Sequence, residues 1–62
     1  MPTEKIIREH EGELGLVTIA ERAKEKSLTF YIVRHSAKPH LTEQYIALSE
    51  AEQYALFLTC KY

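Results

Sequence analysis

Nine glutamates supply every carboxylate side chain in the sequence, which has no aspartate, asparagine or tryptophan. Paired carboxylates can act as general acid and base when one of them is desolvated. Glu9, Glu11 and Glu13 alternate around Gly12, in a polar stretch that reads as a solvated turn. His35 and His40 lie five apart across Pro39, and His10 is remote from both. A zinc site needs three or four ligands meeting at about 2 Å. Two histidines without a matched cysteine or carboxylate motif do not specify one, so the three histidines read as surface or edge-strand residues. No metal or other cofactor is expected.

A nucleophilic cysteine is usually found at a helix N-terminus or beside a histidine. Cys60 falls near the opposite end of the last predicted helix and reads as a small, partly buried apolar residue. Ser27, Ser36 and Ser49 fall in no nucleophile-elbow pattern. Gly12 and Gly15 cannot form a phosphate-cradling loop. No constellation here specifies catalysis, and the expectation is a protein that is not an enzyme.

Elements must position whatever else these residues do. Ser49 precedes Glu52 by three, the spacing of a capping box. A helix is therefore expected from Ser49 to about Lys61, with Glu50 and Glu52 at the positive end of its dipole and Lys61 at the negative end. Ala51, Tyr54, Ala55 and Leu58 recur at helical spacing to form one apolar face, which Phe57 widens. Upstream, Gln44–Leu48 reads as a short strand feeding the helix directly.

Leu28–His35 is the strongest strand, aromatic or β-branched nearly throughout. Leu28, Phe30 and Ile32 share one face of it; Thr29, Tyr31, Val33 and His35 share the other. Ala37–His40 breaks the ladder, because Pro39 has no N–H to donate and restricts Lys38. Leu16–Lys26 is ambiguous. Thr18–Glu21 has a second capping-box pattern, and the residues after it are good helix formers. Val17 and Ile19 are β-branched, however, and a turn at Lys24–Ser27 would bring Leu16–Arg22 back against Leu28–His35, so the strand is preferred. Lys5–His10 reads as an edge strand with Glu11-Gly12-Glu13 as its turn, Gly12 being free to take a positive φ.

The expected fold class is α+β: a three- or four-stranded antiparallel sheet with one C-terminal helix packed on one face, as a single domain over residues 1–62. A chain of 62 residues buries only about 60% of its unfolded surface. Domains this small usually rely on disulfides, a metal or a partner. The lone Cys60 allows no internal disulfide, so self-association is the expected remedy. One helix covers one sheet face. Tyr31, Val33 and His35 are expected on the uncovered one, as the partner or dimer surface.

Charge suggests a second class of partner. Residues 1–19 set Lys5 and Arg8 against four glutamates, a net of −2; residues 20–40 set five bases against Glu21 and Glu25, a net of +3; residues 41–62 set Lys61 against three glutamates, a net of −2. Arg22, Lys24, Lys26, Arg34 and Lys38 in the basic centre are the candidate nucleic-acid contacts, with Tyr31 available to stack on a base. The overall charge of −1 is low for a nucleic-acid binder. The preferred function is therefore a non-enzymatic protein-interaction or regulatory module acting as a homodimer, with nucleic-acid binding the alternative. No apolar run approaches the roughly 20 residues of a membrane span. The start of the chain lacks a basic region followed by an apolar run, so a cytoplasmic setting is expected.

Overall fold

A computed structural model describes residues 3–25 and 28–62. Strands β1 (Thr3–Glu11), β2 (Leu16–Glu25), β3 (Leu28–His35) and β4 (Glu43–Tyr45) precede helix α1 (Leu48–Lys61), with a 3-10 turn at Pro39–Leu41. The strands form one antiparallel sheet in the order β1-β2-β3-β4, and α1 packs against β2 and β3. This is the expected α+β architecture, with four strands.

The ambiguous segment is a strand. β2 pairs with β1 on one side and β3 on the other, so its backbone groups are occupied by two ladders. Tertiary pairing here overrides the helix-forming composition of residues 20–25. The turn expected at Lys24–Ser27 includes Lys26 and Ser27, which lie outside the described residues.

β1 is longer than expected, and its register against β2 shifts between Ile6 and Arg8. A bulge of this kind sets two residues against one and bends the strand. Ile7 packs against the core, and Arg8 reaches Glu52 of α1 at 3.4 Å. β4 is shorter than expected: pairing stops at Tyr45, and Ile46, predicted inside the strand, is 71% exposed.

The core lies between the sheet and α1. Val17, Ile19 and Val33 from the strands meet Ala51, Ala55 and Leu58 from the helix. The two alanines carry no bulk beyond Cβ, which lets the helix axis approach the sheet. Tyr31, Leu41, Tyr45, Leu48, Tyr54 and Tyr62 pack around this centre. Phe57, expected to widen the buried stripe, is 54% exposed and stacks on Tyr54 at the helix flank. Cys60, expected to be partly buried, is exposed.

The helix starts one residue earlier than expected and without the predicted cap. Ala47 is the N-cap residue, in extended conformation, and no side chain caps it. Ser49 therefore occupies the second helical position, where its hydroxyl cannot make the capping-box bond. The box spacing is present in the sequence, but two residues out of register with the helix start.

The β1–β2 loop ties the sheet to the end of α1. Gly12 N–H donates to the Gly15 carbonyl at 2.8 Å, and Leu14 N–H donates to the Tyr62 carbonyl at 2.6 Å. Neither described glycine has a positive φ, contrary to the expectation for Gly12. Crowding is the constraint instead. A Cβ on Gly12 would sit 3.2 Å from the Tyr62 backbone, and one on Gly15 would sit 2.5 Å from Ser36 Oγ.

Candidate interaction surface

Cross-strand register assigns every strand residue to a face, because directly opposed residues in an antiparallel pair point the same way. Val17 opposes His35, Ile19 opposes Val33, and Tyr31 opposes Tyr45. These residues face α1. Ile6 opposes Ala20, and Ala20 opposes Ile32. Glu4 opposes Arg22, which opposes Phe30; Glu9 opposes Thr18, which opposes Arg34. These residues form the other face, which no described helix covers.

The face expected to stay open is thus the one the helix covers. Val33 is fully buried, His35 is 2% exposed, and Tyr31 is partly buried against the core. The uncovered face is the one carrying Leu28, Phe30 and Ile32. The two faces of β3 are those its alternation predicts, but the helix lies on the face opposite to the one expected. The signal that could have decided it lies in β2. At its centre the odd positions, Val17 and Ile19, are bulky and apolar, whereas the even positions, Thr18 and Ala20, are small or polar. The face with more apolar volume to bury attracts the helix.

His35, expected near the surface, is the one buried polar residue among the described residues. Its Nδ1 accepts a hydrogen bond from Ala37 N–H at 3.1 Å, which places the ring proton on Nε2. Nε2 is buried with no hydrogen-bond partner. The ring meets Tyr62 edge-on at 5.8 Å, and its Cε1 would lie 3.0 Å from a Cβ on Gly15. His35 therefore acts as a packing residue that joins β3, the β1–β2 loop and the end of α1. His40 is exposed on the 3-10 turn. Among the described residues, no group of three or more His, Cys, Asp or Glu side chains is placed to hold a metal ion.

The candidate nucleic-acid contacts are divided by the fold. Arg22 and Arg34 lie on the open face, and Arg34 donates to Glu4 at 2.9 Å. Lys38 lies beyond the end of β3, with Nζ 4.9 Å from the Tyr62 ring centre. Lys24 lies in β2, and Lys26 falls outside the described residues.

The open face combines an apolar strip with opposed charges. Ile6 is 54% exposed and Leu28 is 37% exposed. Phe30 is partly covered, while Ala20 and Ile32 are shielded by their neighbours. The β1 margin carries Glu4, Glu9 and Glu11; Arg22 and Arg34 stand on β2 and β3.

Comparison with protein-family models, with curated proteins and with solved structures returns no match.

A second exposed feature runs along the flank between β4 and α1. Tyr45, Tyr54 and Phe57 follow one another at ring spacings of 5.8 and 6.3 Å. Tyr54 Oη donates to the Leu41 carbonyl at 2.7 Å, fixing the helix to the 3-10 turn. Burial, then the nearby Glu43 carboxylate, raises the Tyr54 phenol above its ordinary value of 10.0. Burial, then Glu43 and Glu50, raises Tyr45 in the same direction. Lys61 Nζ lies 5.4 Å from the Phe57 ring centre. These contacts bind the chain to itself, and the hydroxyl of Tyr54 is already engaged. The flank is therefore read as structural.

Proposed function

We propose that this chain is a non-enzymatic interaction module that works as a homodimer through the sheet face opposite the helix. The observation that carries this is the face that α1 leaves uncovered, where Ile6 is 54% and Leu28 37% exposed beside the buried Ala20 and Ile32 and the partly covered Phe30. A small sheet with one helix buries one face well, and docking a partner on the other removes its apolar surface from water. The absence of a catalytic pattern in the sequence favours binding over chemistry.

Sedimentation equilibrium and light scattering at micromolar concentration test this reading. The expected mass is twice the 7.2 kDa of the chain. A species of 7.2 kDa at every concentration would overturn it.

A second reading has one observation in its favour. Arg22 and Phe30 are cross-strand neighbours on the open face, a base beside an aromatic ring, and Arg34 stands four residues beyond Phe30 on the same face of β3. An open sheet with aromatic residues can stack the bases of a single strand. Glu4 and Glu9 on the same face oppose a polyanion, so this reading ranks second. Titration with single-stranded oligonucleotides at low salt checks it: binding must weaken as salt rises, and no binding at low salt removes it.

A further inference from the structure

We infer that the free edge of β1 takes up an extended peptide of another protein as an added antiparallel strand, and that this peptide sets two basic residues and then an apolar one, at alternate positions, against Glu11, Glu9 and Ile6. This rests on the reading of the chain as an interaction module, but not on its dimer.

β1 is 9 residues long, and among the described residues only β2 pairs with it. Its outward backbone N–H and C=O groups form an open edge, the template on which a strand can be added. The other edge of the sheet, β4, is 3 residues long and lies against α1, so it offers no comparable length. The β1 edge also has room for a side chain. At the bulge, Ile6, Ile7, Arg8 and Glu9 line an open cleft of about 300 Å³. Ile6 is 54% exposed there. Arg8 is held from within the chain: its Nη1 donates to the Ile7 carbonyl at 2.9 Å, and its Nε lies 3.4 Å from Glu52.

A second copy of β1 does not suit this edge. The bulge changes which residues share a face. Glu4, Ile6, Glu9 and Glu11 lie on the open face, whereas Lys5, Arg8 and His10 lie on the helix side. Two antiparallel copies must match their faces residue by residue. The register that does so along the strand sets Glu4 against Glu11 and Ile6 against Glu9, at both ends of the pairing. Like charges directly opposed destabilise a strand pair, and the apolar residue gains no apolar neighbour.

Charge also indicates what does fit. Glu4 is engaged by Arg34 at 2.9 Å. Glu9 and Glu11 are exposed and have no ion-pair partner among the described residues. The spacing of a suitable strand is that of β2, where Leu16, Thr18 and Ala20 oppose Glu11, Glu9 and Ile6. The bulge takes up the extra residue of β1, so the opposing positions are alternate ones. A strand on the free side with this spacing places one basic residue against each unpaired glutamate and an apolar one against Ile6 at the cleft. Main-chain hydrogen bonds then supply affinity, and the three side chains supply selectivity.

The probe is a synthetic peptide, Thr-Lys-Thr-Lys-Thr-Val-Thr, blocked at both ends and titrated into the full chain. Saturable binding is expected, with hydrogen exchange slowed at amides of β1. Methylating the peptide nitrogens that face β1 keeps every charge and side chain but removes the main-chain donors, and should weaken binding by about tenfold or more. Shuffling the peptide so that its lysines are adjacent should weaken it by about tenfold. The double variant Glu9→Lys with Glu11→Lys should lose about as much, with far-UV circular dichroism verifying its fold. If that variant does not fold, a peptide with glutamate in place of both lysines makes the same reversal against the wild-type chain. No binding of the first peptide at millimolar concentration overturns the inference. So does binding that survives methylation, shuffling or charge reversal. A dimer that binds no peptide overturns edge docking alone, and a monomer that binds it overturns the dimer alone.

Discussion

Gly15 shows how a single residue without chemistry can govern the packing around it. It approaches His35 and Ser36 so closely that a methyl group has no room. Ser36 cannot move freely, because its Oγ accepts Leu16 N–H at 2.8 Å and its own N–H donates to the Leu16 carbonyl at 2.9 Å. Gly15→Ala should therefore destabilise the fold by about 1–3 kcal/mol, the usual cost of overpacking. Urea denaturation measures it, and a variant as stable as wild type would mean that the loop yields without cost. His35 belongs to the same cluster. Its burial was not legible, because histidine is as common at surfaces as inside and its position depends on which face the helix takes.

At the scale of elements, the start of α1 makes an unusual prediction. Ala47 has the extended backbone of an N-cap but no side-chain oxygen, and Glu50 stands three residues later at the capping-box position. Ala47→Ser should complete that box and stabilise the protein by about 1 kcal/mol. Ser49→Ala, which a sequence-based capping box would make costly, should change stability by no more than about 0.5 kcal/mol. Thermal melts of the two variants check both statements, and the reverse order would place the helix start at Ser49.

The junction between α1 and the 3-10 turn should respond to alkali. The neutral phenols of Tyr45 and Tyr54 are favoured in the fold, since burial raises both above 10.0. Their contribution is complete below about pH 10 and is lost as pH rises through the raised values. Tyr54→Phe should lower stability at pH 7 by about 0.5–1.5 kcal/mol through loss of the bond to Leu41. The same variant should lose less stability than wild type between pH 8 and pH 11. Equal losses in urea midpoint would exclude Tyr54 as a contributor.

Across the whole molecule, the sheet is asymmetric: one face meets α1 through a core of Val17, Ile19, Val33, Ala51, Ala55 and Leu58, and the other carries an apolar strip in which Ile6 and Leu28 are exposed while Ala20 and Ile32 are buried. If that strip is the dimer surface, Ile6→Lys should abolish the dimer and leave the monomer folded, because Ile6 is already 54% exposed in one chain. The wild-type melting temperature should rise with protein concentration, and that of Ile6→Lys should not. Loss of the concentration dependence without loss of secondary structure is the deciding result. Among the described residues, no helix is long and apolar enough to cross a membrane.

The existence and type of the elements were legible because they rest on local periodicity. Aromatic and β-branched residues marked β3 and, against a helical alternative, tipped β2 to a strand, and the 3.6-residue recurrence of Ala51, Ala55 and Leu58 marked the inner stripe of α1, each from side chains close together in the chain. The precise helix start was not, because the capping-box spacing of Ser49 and Glu52 pointed to Ser49 as the cap, whereas the backbone path through Ile46 and Ala47 sets the cap two residues earlier, without a side-chain bond. Nor was the choice of covered face. Both sides of β3 are apolar, so its own pattern cannot say which side α1 crosses. That depends on the register with β2 and on the route of residues 36–47 back over the sheet, and both are long-range. The chemistry-bearing residues followed the same division. Their types could be read one at a time, but whether His35 lay inside, or Glu9 stood level with Arg34, was decided only when four strands were paired.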